Sequence, residues 1–217
     1  VKAGTTVSVE FRNAPKGGLI IQKRDSFTGA PLSGAVFRVV TSDGAYADNY
    51  GGYVSSNGLY TTGANGQIRL YDLTPGTYVV TEEKAPDGYV LNSQPQTVRV
   101  YANDTQTLFF DNPPKGALIV QKYDSITKAP LAGAEFKITT ASGELVPDNE
   151  GLTSSNGLYT TNAQGQIVLS KLAPGTYVVT ETKAPDNYKL DGKPQTVVVN
   201  AADTQTLSFY NEPLCVL

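Results

Sequence analysis

The chain repeats itself once at long range. The segment QKRDSFTGAPLSGAVF at 22–37 returns as QKYDSITKAPLAGAEF at 121–136. SSNGLYTT at 55–62 returns at 154–161, and PGTYVVTEEKAPDGY at 75–89 returns as PGTYVVTETKAPDNY at 174–188. DTQTLFFDN at 104–112 returns as DTQTLSFYN at 203–211. The offset is 99 residues each time, and 60 of the 99 aligned positions are identical without a gap. Solenoid repeats run to roughly 20–50 residues, so a period this long is a whole domain in tandem. Residues 14–112 and 113–211 are read as two copies of it. Val1, Ala3, Thr6, Phe11 and Asn13 stand 99 before Val100, Ala102, Thr105, Phe110 and Asn112. Residues 1–13 therefore read as the last strand of a preceding copy, expected to dock on the first repeat or on a neighbouring molecule. Residues 212–217 read as the start of a following copy. The short linkers Ala14-Pro15-Lys16 and Pro113-Pro114-Lys115 favour an extended, stiff joint.

No segment holds a helical period. Apolar and polar residues alternate instead, and the spacing predicts strands at 17–24, 35–41, 58–62, 67–71, 76–84, 96–101 and 105–112, repeated 99 residues on. Asp43-Gly44, Asn57-Gly58, Asn65-Gly66 and Pro75-Gly76 supply the turns between them. Seven short strands in a domain of this size argue an all-β fold, two tandem β-sandwiches. The 42–57 stretch differs most between the copies and reads as an exposed loop.

Alternation also puts polar side chains on apolar faces. Lys23 shares a face with Leu19 and Ile21, Glu82 with Tyr78 and Val80, and Asn112 with Leu108 and Phe110. Lys122, Glu181 and Asn211 repeat the pattern. Gln22, Arg24, Thr81 and Asp111 fall on the opposite faces and suit solvent. Each repeat thus aims a lysine, a glutamate and an asparagine inward, and buried charge is costly unless partnered, so the three should meet. Two outcomes stand at this point. One is a buried Lys–Glu ion pair with the asparagine as hydrogen-bond partner. The other is covalent: burial favours the neutral, nucleophilic amine, and a carboxyl group in an apolar pocket can stay protonated, polarise the asparagine carbonyl and pass the amine's proton to departing ammonia. The product is a Lys–Asn isopeptide bond, formed once per domain.

The residues around this trio resemble a known family. Lys23-Arg24-Asp25, Thr28-Gly29-Ala30-Pro31-Leu32 and Gly34-Ala35-Val36-Phe37 are similar to the opening signature of Cna B-type domains, the prealbumin-like repeats of Gram-positive surface proteins. Tyr78, Val80, Glu82, Ala85-Pro86, Gly88 and Tyr89 resemble their E-box, and Phe110-Asp111-Asn112 their closing strand. The second repeat matches at Lys122, Asp124, Thr127, Pro130-Leu131, Gly133-Ala134-Glu135-Phe136, Tyr177, Val179, Glu181, Ala184-Pro185, Tyr188, Phe209 and Asn211. It departs at Lys128 and Asn187, where the pattern has glycine. The resemblance covers nearly the whole chain. It implies intramolecular isopeptide bonds Lys23–Asn112, assisted by Glu82, and Lys122–Asn211, assisted by Glu181.

Composition narrows the function further. Histidine is absent and there is one cysteine. Histidine-dependent nucleophiles, imidazole metal sites and an internal disulfide are therefore excluded. No phosphate-binding glycine loop is present, so neither a cofactor nor multiple-turnover catalysis is expected, only single-turnover autocatalysis. A formal charge of −3, well mixed, argues against nucleic acid. No apolar run is long enough to span a membrane, and no signal peptide or anchor lies in the sequence. The expectation is a stalk segment of a cell-wall-anchored, extracellular adhesin, partnered by adjacent repeats and by a host extracellular protein or glycan. The alternatives are a module that grips a host matrix protein or glycoprotein through the 42–57 loops, and a pilin shaft subunit. Asp148-Asn149-Glu150-Gly151 lacks the spaced ligands of a calcium loop and reads as a turn. Tyr46, Tyr50 and Tyr53 read as packing over the sandwich edge, Asp25 and Asp124 as turn caps, and Cys215 as a strand residue of the next repeat.

Overall fold

The computed structural model describes residues 4, 13–48, 50, 52, 55–147, 154 and 156–214. The expectations for the 1–13 strand (Gly4 and Asn13 apart), Tyr53, Asp148–Gly151 and Cys215 lie outside the described residues. The chain divides into two compact units built around seven strands each. The first holds β1 (Gly17–Asp25), β2 (Val36–Thr41), β3 (Leu59–Thr61), β4 (Gln67–Leu73), β5 (Gly76–Lys84), β6 (Gln96–Val100) and β7 (Thr105–Asn112). The second holds β8 (Gly116–Asp124), β9 (Glu135–Thr140), β10 (Leu158–Thr160), β11 (Gln166–Leu172), β12 (Gly175–Lys183), β13 (Gln195–Val199) and β14 (Thr204–Asn211). The seven strands expected in the first repeat lie within two residues of those found.

Each unit is a sandwich of a three-stranded sheet, ordered β4-β1-β7 or β11-β8-β14, and a four-stranded one, ordered β3-β2-β5-β6 or β10-β9-β12-β13. The first and last strands of a unit are therefore neighbours. In the second unit they run parallel, in register from Ala117–Thr204 to Asp124–Asn211. The pairs of β1 with β4, β2 with β3 and β5, and β5 with β6, and their counterparts in the second unit, are antiparallel. The alternating apolar residues fill the space between the sheets, with Leu19, Ile21, Phe37, Ile68, Leu70 and Val80 buried in the first unit and Leu118, Val120, Phe136, Ile138, Leu169 and Val179 in the second. Phe37 packs on Phe110 with ring centroids 4.8 Å apart, as Phe136 does on Phe209.

On the outer face the two copies solve the same cross-strand position differently. Arg24 and Asp111 form an ion pair at 2.8 Å, whereas their counterparts Tyr123 and Tyr210 stack at 5.6 Å. The divergent 42–57 stretch is not simply a solvated loop. Tyr46 is half exposed, but the next residue, Ala47, is buried in the core and accepts a hydrogen bond from the Tyr60 hydroxyl. Tyr159 donates likewise to Val146, 2.9 Å away. The reason is local: a bridge between Val40 and Tyr46 lays the segment against β2 and turns alternate residues inward. Tyr50 packs against the core, while Tyr46 lies outside it under the Arg38 guanidinium.

The departures at Lys128 and Asn187 have a backbone explanation. Gly29 and Gly88 adopt φ of 73° and 81°, and Lys128 and Asn187 hold the same left-handed conformation at 61° and 68°. Ala202 does so too, at 56°, where the first copy has Asn103 at 58°. Alanine lacks the polar side chain that makes this region tolerable for asparagine, and the conformation costs a non-glycine residue about 1–2 kcal/mol. Ala202→Gly is therefore expected to stabilise the second unit by about 0.5–1 kcal/mol after the entropic cost of glycine. Thermal unfolding should show a rise of a few degrees.

Candidate functional site

The buried polar residues of the second unit converge. Lys122 enters from β8 and Asn211 from β14, neighbours in one sheet, while Glu181 faces them from β12 in the other sheet. Their exposures are 0%, 1% and 2%. Lys122 Nζ donates to Asn211 Oδ1 at 2.5 Å and lies 3.4 Å from Glu181 Oε1. Asn211 Nδ2 donates to the same carboxylate oxygen at 2.7 Å. The amide thus turns its nitrogen, not its carbonyl, to the glutamate, and the carbonyl takes its hydrogen bond from the lysine. Phe136 sits opposite Glu181 in the β9–β12 register, and its ring against Phe209 makes an apolar wall beside the carboxylate. Burial pushes the Lys122 amine below the usual lysine value, and the Glu181 carboxylate pulls it partly back.

In the first unit Lys23, Glu82 and Asn112 are all fully buried. Lys23 Nζ lies 3.8 Å from Glu82 Oε1 and donates to the Phe110 carbonyl at 3.1 Å, two residues before Asn112 on β7. Burial lowers the Lys23 value as well, against the raising effect of Glu82 and Asp111. Phe37 faces Glu82 in the β2–β5 register.

Side chains that alternation alone did not reveal surround these groups. Asp124 is buried two residues after Lys122; its Oδ1 accepts the amides of Ile126 and Thr127 at 2.7 and 2.9 Å, which ends β8 in a turn. Its Oδ2 accepts the Tyr188 hydroxyl at 2.9 Å. Asp25 does the same with Phe27, Thr28 and the Tyr89 hydroxyl. The turn cap was legible in the sequence; the tyrosine partner, 64 residues away, was not. The second carboxylate oxygen of Glu181 accepts the Asp191 amide at 3.2 Å, and that of Glu82 accepts the Asn92 amide at 3.1 Å.

Residues 17–114 and 116–213 each match the SpaA prealbumin-like fold domain. The chain belongs to that family. A collagen adhesin of Staphylococcus aureus is 37% identical over 81 residues, which is 36% of this chain and 6% of the relative. The trypsin-resistant surface T6 protein of Streptococcus pyogenes serotype M6 is 30% identical over 80 residues, 37% of this chain and 13% of the relative. The chain thus corresponds to a small part of each of these relatives. The structure of a streptococcal ancillary pilin resembles this fold at 22% identity and a TM-score of 0.56, covering 93% of this chain and 63% of that one. The two relatives are an adhesin and a surface protein of Gram-positive bacteria, and the streptococcal pilin shares the fold.

Proposed function

We propose that both units are stalk modules of a cell-wall-anchored, extracellular surface protein, each closed by an autocatalytic Lys–Asn isopeptide bond. The observation that carries this reading is the mutual contact of Lys122, Glu181 and Asn211, all buried between the sheets. The neutral Lys122 amine attacks Cγ of Asn211, a new C–N bond forms, and the bond from Cγ to Nδ2 breaks. Glu181 Oε1 lies within reach of both nitrogens, so the proton lost by the lysine is passed to the departing Nδ2, which leaves as ammonia. One amine and one primary amide give one secondary amide and one ammonia, with no other reactant. The fold supplies the effective concentration that an unactivated amide requires. Lys23, Glu82 and Asn112 take the same roles in the first unit.

The outward work of such a unit is to project other domains and resist force and proteolysis. The relatives' names favour an adhesin stalk. Intact mass tests the chemistry. The full chain should weigh two ammonia molecules less than its sequence, and Lys23→Ala, Glu82→Ala or Glu181→Ala should each restore one. A wild-type mass equal to that of the sequence would reject the covalent reading and leave buried ion pairs.

A further inference from the structure

One loop in the second unit touches the segments that carry all three reacting groups. It runs from the end of β12 through Pro185, Asn187 and Tyr188 to Asp191. Its Tyr188 hydroxyl reaches Asp124, two residues beyond Lys122. Its Lys189 amide donates to the Glu212 carbonyl at 2.9 Å, and the Leu214 amide donates back to Asn187 at 2.7 Å, which ties the loop to the chain just past Asn211. Its far end supplies the Asp191 amide to Glu181. The backbone bonds run along the closing strand's extension, whereas the tyrosine hydroxyl reaches the opening strand's side. Its acceptor is a carboxylate already fixed by two turn amides, which leaves that oxygen little freedom to move. The first unit repeats the device with Tyr89 on Asp25 at 2.9 Å and the Asn92 amide on Glu82 at 3.1 Å.

We infer that Tyr188 with Asp124, and Tyr89 with Asp25, are positioning pairs for cross-linking: each latches the loop that orients the glutamate's second oxygen and covers the site. The inference rests on the isopeptide reading above. A carboxylate held at one oxygen by a backbone amide presents the other along a fixed direction, and Glu181 Oε1 must address two nitrogens at once. Without the latch the Asp191 end of the loop loosens, Glu181 gains a rotation, and water reaches the proton path. Small misplacements of a reacting group are costly in rate. The phenol touches no reacting atom, so its role is exercised through Glu181.

The test follows bond formation in the full chain made by cell-free synthesis, with samples denatured at intervals and weighed intact. Fragment masses separate the two bonds, so the first unit serves as an internal control. Tyr188→Phe should slow the second bond by about tenfold or more and leave the first unchanged. Hydrogen exchange at the Asp191 amide should quicken in that variant while β8 and β14 amides keep their protection; a general loss of stability would quicken all of them. If Tyr188→Phe loses its β-sheet signal, Asp124→Asn decides, because it keeps an oxygen for the turn amides and replaces the charged acceptor facing the phenol with an amide N–H donor, so that only a reversed, weaker bond can form. It should slow the second bond by about threefold. A wild-type rate in a folded Tyr188→Phe, or in Asp124→Asn where that variant decides, overturns the inference while the isopeptide reading stands. A wild-type chain that never loses ammonia removes both.

Discussion

Stretched by its two ends, the second unit of the wild-type chain is expected to show no unfolding step, whereas Asn211→Ala should release one of about 300 Å. The length follows from the 88 residues between Lys122 and Asn211, at about 3.4 Å each when extended. Force enters at the Gly116 end of β8 and leaves β14 at Asn211, opposite ends of a parallel pair, so tension shears eight residue pairs at once. With the amide in place, tension passes along β8 to Lys122, crosses to Asn211 and exits, and the 88 residues never bear it. Without it, the hydrogen bonds of the pair are the whole resistance. Single-molecule extension reads the difference directly. Steps of about that length in a wild-type chain would remove the mechanical interpretation.

The second large effect is on stability, and its order across variants is diagnostic. Asn211→Ala removes the cross-link but leaves the Lys122–Glu181 pair. In the chain-entropy account of disulfides, closing a loop of this length is worth about 4–5 kcal/mol, and that is the expected loss. Glu181→Ala removes the cross-link and also leaves Lys122 buried without a carboxylate, which adds about 3–5 kcal/mol. Together these approach the whole stability of a typical domain, about 5–15 kcal/mol. The second unit should therefore melt in the order wild type, Asn211→Ala, Glu181→Ala, the last close to unfolded at physiological temperature. Lys122→Met combined with Glu181→Leu should recover part of the loss, because well-packed apolar residues replace a buried ion pair at little cost. Calorimetry of the full chain can follow the second unit while the first keeps its own transition. Equal melting of wild type and Glu181→Ala would contradict the argument.

The same mechanisms show how far residue order could be read. Period-2 alternation assigned each strand a buried and an open face, and it placed Lys23, Glu82 and Asn112, with their counterparts 99 residues on, among Leu19, Val80 and Phe110. Burial of all six follows that assignment. Turn chemistry fixed the strand ends, because asparagine, aspartate and glycine mark positions that other residues enter only with strain, as Ala202 does. The 42–57 stretch was harder. Its divergence signalled exposure, but Ala47 and Val146 complete the core from within it, and a single inward side chain in an irregular segment has no period to announce it.

Sequence by itself determined the tandem architecture, the faces of the strands and the identity of the inward polar residues, since these depend on the repeat and on alternation along one strand at a time. Tertiary structure decided that the first and last strands lie side by side and parallel, that Glu181 reaches across from the opposite sheet, and that it meets the nitrogen of Asn211 while Tyr188 closes on Asp124. Alternation says which way a side chain points but not which strand stands beside it or at what register. Those pairings join residues from 30 to 87 positions apart, and they are settled only when both sheets close over one core.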